Sequence, residues 1–328
     1  MAVTMLNAVL HPSLIPYVVK LLSKNKVITV LDFAKTDSDR LMRITNLSFE
    51  EISDIKNNLV NNYSGSNIPV IQYFRYLNER IQPISTEIIG LDLLLDGGLF
   101  PGHILEIFGE PGCGKSILCT SLAINVARNP NQHVLYCDTK NDFSTSRVHT
   151  ILTQKNYNSL LIEEIMNRIE VKRIFCAEDL IEFIENMIGE IDSMDKLQVL
   201  IIDSLPALWF QYQNSKSSCY PLGMLTRLIG LLRKIASENF ISIVLVNLQV
   251  RSKDSLAQNS SRRNIKPKGN ATYPALGKFW ETAPTTRILV NKVNDNTTGC
   301  ARSISIWKSN YLQSGNHQLI SITDRGAV

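Results

Sequence analysis

Apolar and polar positions change rhythm along this chain, and the changes divide it. Over the first sixty residues apolar side chains recur in short helical blocks, Leu14 to Leu22, Val27 to Phe33 and Leu41 to Leu47. Ser48 then stands three residues ahead of Glu51, the spacing of a capping box, before a segment with Ile52, Ile55 and Leu59 on one face. A small helical bundle over 1–60 is the expectation. From Asn61 to Pro69 the chain turns to Asn, Ser, Gly and Pro, a linker composition that places a domain boundary there and a linker over 61–83. Between Val70 and Leu77 lie Tyr73, Phe74 and Tyr76, an aromatic stretch read either as packing against the next domain or as a partner-docking strand.

After Pro101 the rhythm alternates. Strands are expected at His103–Phe108, His133–Cys137, Ile169–Phe175, Val199–Ile202 and Ile241–Val246. Helices are expected at Lys115–Arg128, along Leu180, Ile181, Ile184, Met187, Ile188 and Ile191, and along Leu225, Leu228, Leu232 and Ile235. Arg287–Asn291 and Ser303–Trp307 add strands near the end. Strands alternating with helices imply an α/β core, its mostly parallel sheet covered by helices on both faces.

Composition adds a class. An apolar content of 44% suits a chain with a substantial core, and no apolar run approaches the roughly 20 residues needed to span a bilayer. With no basic-then-apolar leader at the N-terminus, an intracellular, soluble protein is the expectation. Cys113, Cys119, Cys137, Cys176, Cys219 and Cys300 lack paired C-x-x-C spacing, which points to reduced thiols rather than zinc or disulfides. The formal charge of +4 is local: residues 251–268 hold Arg251, Lys253, Arg262, Arg263, Lys266 and Lys268 against Asp254 alone.

One motif carries chemistry. Gly109, Glu110, Pro111, Gly112, Cys113, Gly114, Lys115 and Ser116 match G-x-x-x-x-G-K-[ST] between an expected strand and an expected helix. Gly112 and Gly114 let backbone N–H groups point inward at phosphate oxygens, and the helix start adds its positive end. Lys115 is expected to meet the outer phosphates of ATP, and Ser116 to offer its hydroxyl to Mg2+. Asp203, closing the apolar strand LQVLIID, is read as holding Mg2+ through water, with capping of the next helix as the bland alternative.

Four separated segments together resemble the RecA and RadA recombinases and their eukaryotic relatives: STEIIGLDLLLDGGLFPGHILEIFGEPGCGKS, VLYCDTK, VLIIDS and IVLVNLQV. PALGKFWETAPTTRILV extends the likeness, which spans about 84–328, and is most similar to the D-type paralogues of that family. The resemblance implies a RecA-type P-loop ATPase core over 84–328, preceded by the small all-α domain. It implies an ATP-binding mediator of homologous recombination repair, working in the nucleus beside other RecA-type paralogues in a hetero-oligomer. Two stretches, about 209–221 and 251–275, correspond to loops that face single-stranded DNA in such proteins. The second is the basic segment, whose Ser, Asn and Lys/Arg suit phosphate tracking and whose neighbours Tyr273 and Trp280 suit base stacking. A solvated loop or a nuclear import signal is its bland alternative.

The chain departs from the active pattern at telling places. Where working members end a strand with D-T-E-G, the glutamate orienting the attacking water, this chain has Asp138, Thr139, Lys140 and Asn141. A protonated lysine is no base, and an anionic phosphate beside it stabilises the ammonium, so hydrolysis is expected to be slow or absent. Glu110 and Asp142 are acids nearby, but neither occupies the matching position. The family's Asn-Gln pair reads Asn247, Leu248, Gln249, and one residue on a strand reverses a side chain's direction. The Phe-x-x-Ala of filament formers becomes Phe74 with Leu77, and the acidic, proline-containing cap becomes Trp307, Lys308, Ser309 and Asn310. These changes weigh against self-polymerisation. Two other functions fit the phosphate loop: a self-assembling strand-exchange ATPase and a small-molecule kinase.

Overall fold

Local rules place the N-terminal helices where the pattern put them. The structure is a computed structural model that describes residues 5–63, 69–190, 196–212, 219–251, 272–293 and 299–328. The chain divides into two compact units, Met1–Tyr76 and Leu77–Val328. In the first, α1 (Pro16–Lys24), α2 (Val30–Lys35), α3 (Ser38–Thr45) and α4 (Phe49–Tyr63) follow one another closely. Ser48 and Glu51 close the expected box ahead of α4, Glu51 Oε2 accepting from Ser48 N at 2.8 Å and Ser48 Oγ from Glu51 N at 3.2 Å. Asn46 ends α3 in the left-handed conformation. Leu14, Leu22, Phe33, Leu41, Ile52 and Ile55 form a dry centre.

The aromatic stretch is a helix, not a strand. Helix α5 (Val70–Arg80) occupies about half of the expected linker and begins directly after Pro69, whose carbonyl accepts from Gln72 N and Tyr73 N. A proline at a helix start sacrifices no intrahelical bond, and nothing in the following eleven residues breaks a helix. Tyr73 and Phe74 are about half exposed, at 51% and 57%.

In the second unit α6 (Ile89–Leu94) precedes an alternating series. It runs β1 (Ile104–Gly109), α7 (Lys115–Ala127), β2 (His133–Asp138), α8 (Thr145–Gln154), α9 (Ser159–Asn167), β3 (Ile169–Arg173) and α10 (Ala177–Glu190). It continues through β4 (Leu197–Asp203), α11 (Leu205–Trp209), α12 (Cys219–Asn239), β5 (Ser242–Arg251) and β6 (Thr272–Pro274). One helical turn, Gly277–Trp280, leads to β7 (Thr286–Lys292), β8 (Ala301–Ser309), β9 (His317–Thr323) and β10 (Gly326–Ala327). The sheet order is β10-β9-β8-β7-β1-β5-β4-β2-β3, with β6 paired to β5. From β7 to β3 all neighbours are parallel, while β8, β9 and β10 extend the sheet antiparallel.

Alternation along each strand builds two cores. Leu105, Ile107, Val134, Tyr136, Val199, Ile201, Val244 and Val246 face α7, α8 and α9, whereas Ile104, Leu135, Leu200, Ile202, Ile243 and Leu245 face α10 and α12. Burial on both faces is why these strands read as unbroken apolar runs. Burial also raises the thiols of Cys119 and Cys137, the latter to about 12, so both behave as apolar core. The carboxyl ends of β1, β5, β4 and β2 follow one another along the parallel part of the sheet, Asp138 opposite Asp203, at the edge where open α/β sheets place ligands.

Candidate nucleotide site

The turn after β1 is shaped by its glycines and clasped by its own lysine. Gly114 precedes the first residue of α7 at φ +100°, a backbone conformation that calls for glycine, and a Cβ there would also have to displace the end of the Ile322 side chain, 2.1 Å away at Cδ1. Lys115 is only 7% exposed. Its Nζ donates to the carbonyls of Gly109 at 2.9 Å and Glu110 at 2.8 Å, and lies 3.6 Å from Cys113 Sγ. Burial pulls the Lys115 pKa below the usual ammonium range, Cys113 and Asp203 resist that pull, and the Lys140 charge adds to it. The amino end of the thirteen-residue α7 opens onto this loop.

Behind the loop, β4 delivers Asp203, 2% exposed, with both carboxylate oxygens engaged. Oδ2 accepts from the buried Tyr136 hydroxyl at 2.9 Å, and Oδ1 meets Lys140 Nζ at 3.0 Å, an ion contact rather than an aligned hydrogen bond. Lys140 Nζ also lies 3.3 Å from Ser116 Oγ and 3.5 Å from Asp142 Oδ2. The ammonium is thus shared by the two residues that the sequence assigns to Mg2+. A serine hydroxyl and a carboxylate are the right oxygen chemistry for that ion, but the position between them holds a cation of the chain's own. Burial works against the Lys140 charge and the carboxylates of Asp203 and Asp142 outweigh it, leaving its pKa above the usual range. Asp142, a candidate substitute base, is drawn into this ion pair.

The backbone holds Lys140 in place. The Asp138 carboxylate accepts from the backbone N–H groups of Lys140, Asp142 and Phe143 at 3.1, 3.2 and 3.0 Å, which winds the turn through Asn141 at φ +59°. Thr139 Oγ1 donates to Ser204 O at 2.8 Å and accepts from Ser204 N at 2.7 Å, pinning the end of β2 to the end of β4.

Two cations absent from the sequence reading approach from the other side. Arg302 Nε donates to Cys113 O at 2.9 Å, and a Cβ built on Gly112 would lie 3.6 Å from Lys292 Nζ. Lys292 on β7 and Arg302 on β8 face each other in register. Only the strand order, with β7 beside β1, brings them to the loop.

The second long connection departs from buried polar ground. Glu106, fully buried on β1, accepts from Asn247 Nδ2 and Trp280 Nε1, both at 2.7 Å, through Oε1, and pairs through Oε2 with Arg287 Nε. Asn247 Nδ2 also donates to Ala275 O at 3.1 Å, and Arg287 donates to Trp280 O at 3.1 Å. Burial raises the Glu106 pKa against the opposing pull of Arg287, Asn247 and Trp280. Trp280 corrects an expectation: it is wholly buried and spends its N–H on Glu106, so it is no stacking platform for a base, whereas Tyr273 stays 42% exposed. Gln249 follows Asn247 and Leu248 along β5, opposite Pro274, with its Oε1 buried.

Of the basic positions, Lys253, Arg262, Arg263, Lys266 and Lys268 lie outside the described residues, and Arg251 is described only as the last backbone position of β5. The other expected DNA stretch, 209–221, is helical at both described ends, in Phe210–Tyr212 and at the start of α12, with 213–218 outside the description. Trp307, in the region of the family's cap, packs edge-on against Phe108 at 5.6 Å, and the Arg287 guanidinium lies 5.4 Å from its ring centre.

Comparison with known proteins matches residues 78–328 to the family model described as Rad51. The chain is 28% identical to the mouse DNA repair protein RAD51 homolog 4 over 98% of its own length and 95% of the relative's. The bovine protein of the same name is 25% identical over 98% of this chain and 96% of its own length. The DNA repair and recombination protein RadB of Methanobrevibacter smithii is 32% identical over 48% of this chain and 64% of its own.

Proposed function

This chain belongs to the Rad51 family, and from that premise we propose that it is an ATP-binding mediator of homologous recombination repair, associated with single-stranded DNA and built into a hetero-oligomer of related chains. Its relatives in mouse and cow, similar over nearly their whole length, are named as DNA repair proteins, and a nuclear location follows from the same work. Gly109 to Ser116 hold the triphosphate: the loop and the end of α7 supply N–H groups, and Lys115 turns from the carbonyls of Gly109 and Glu110 to the outer phosphates. The bound nucleotide acts as an assembly switch.

One observation carries the claim that turnover is slow. Lys140 stands where the attacking water would need a base, and its proton is held there by Asp203 and Asp142. Arg251, Lys253, Arg262, Arg263, Lys266 and Lys268 are assigned to DNA phosphates, a contact that weakens as salt rises. No helix among the described residues is long and apolar enough to cross a membrane.

Phosphate release by the purified chain, measured with and without single-stranded DNA, tests this reading. The expected result is a basal trace that DNA does not raise. Robust DNA-stimulated hydrolysis by the chain alone would establish the self-assembling strand-exchange ATPase instead, and phosphate transfer to a metabolite a kinase.

A further inference from the structure

We propose that Lys140 is a built-in cation standing where a divalent metal would otherwise stand, so that this site takes the metal-free nucleoside triphosphate. The inference rests on the ATP-binding reading above and concerns the ionic form of the ligand. Its first support is position. Lys140 Nζ lies 3.0 Å from Asp203 Oδ1 and 3.3 Å from Ser116 Oγ, and the other Asp203 oxygen is committed to Tyr136. A magnesium ion needs near-octahedral room for itself and several waters. To reach these oxygens it would have to expel an ammonium of like charge.

The second support is the anchoring of that ammonium. Asp138 ties the backbone of Lys140, Asp142 and Phe143 into one turn, and Thr139 is bonded to Ser204 beside Asp203. The base of the Lys140 side chain is therefore fixed opposite the carboxylate. The third is the surplus of positive charge around the loop. Lys115 and Lys140 stand on one side, and Lys292 and Arg302 approach Gly112 and Cys113 from the other. In a nucleotide–metal complex the ion's main electrostatic task is to neutralise the phosphates, and these side chains can perform it without a metal. The price is catalytic: an ammonium on a flexible stem neutralises charge but lowers no water's pKa, in keeping with a site that holds its nucleotide rather than cleaving it.

The test is a competition titration of ATP against a fluorescent ATP analogue, using the full chain in excess EDTA and in excess Mg2+. For the parent, ATP is expected to bind at least as tightly in EDTA as in excess Mg2+, which ties up the metal-free form, whereas Lys140→Gln should weaken on the order of thirtyfold in EDTA and recover with Mg2+. Lys140→Arg, which keeps the charge, should retain binding in EDTA, and equal melting temperatures for the three proteins exclude a folding defect. A parent that loses tenfold or more in EDTA, or a Lys140→Gln variant that matches it there, overturns the proposal while leaving the ATP reading intact. Absence of binding in both buffers would remove the ATP reading and this inference together.

Discussion

Arg287→Ala is expected to lower the unfolding free energy by about 3–5 kcal/mol, because it leaves the fully buried Glu106 without its counter-ion. Glu106 and Arg287 sit directly opposite each other on β1 and β7, at the centre of the sheet. The lost guanidinium also abandons Trp280 O, so the turn before β7 loses a tie at the same time. Two effects compete in the variant. Glu106 can take up a proton, which burial already favours, but a protonated carboxyl then needs an acceptor for its own O–H where Arg287 stood.

A second substitution separates the charge from the packing. In Glu106→Gln combined with Arg287→Met, the Gln oxygen still accepts from Asn247 and Trp280, and no unpaired charge remains. That pair of changes should recover at least about 1 kcal/mol of the single variant's loss. Urea unfolding of the three proteins decides the matter. A single variant within about 1 kcal/mol of the parent would mean that the pair contributes little to the sheet.

Lys115→Ala is expected to weaken ATP binding on the order of a hundredfold, about 3 kcal/mol, with little loss of fold. Among the described residues Nζ bonds to acceptors of its own loop, the carbonyls of Gly109 and Glu110, with Cys113 Sγ nearby. Its burial costs the protein something, as the lowered pKa records, and the charge repays that cost only when phosphates arrive. Removing it should therefore harm the complex far more than the free protein. Equilibrium titration of ATP, with a melting curve for each protein, checks both halves. A variant that binds like the parent would take the phosphates away from this loop.

The parallel core and the phosphate loop were legible because each obeys a local rule. Two-sided burial writes an unbroken apolar run, as at Leu200 to Ile202, and the loop is fixed by glycines at set spacing. What escaped the sequence lies across strands. Helix α8 carries its apolar face on Val148, Ile151 and Leu152, set among polar residues, whereas α9 is apolar at Leu160, Leu161, Ile162, Ile165 and Met166 but only nine residues long, too short to show a helical period clearly. Strands β9 and β10 are short or half-exposed and mark themselves weakly.

Lys140 was visible as a missing base, but its contact with both Asp203 and Ser116 depends on β2 lying beside β4. Lys292 and Arg302 depend likewise on β7 lying beside β1. Trp280 misled because an indole near a basic segment suits base stacking as well as it suits a core. Only the buried acceptor on Glu106, more than a hundred residues upstream, separates the two roles.

On the proposed function, bound nucleotide controls the assembly of this chain with others of its family. This control is tested most directly by purifying the untagged protein from its own cells and identifying what accompanies it by mass spectrometry. The purification is done with ATP present and after its removal, for the parent and for Lys115→Ala. The expected result is that other Rad51-type chains are recovered with the parent, are retained in ATP, and are lost on its removal or in the variant. Recovery of no Rad51-type chain, or recovery indifferent to nucleotide and to Lys115, would contradict it.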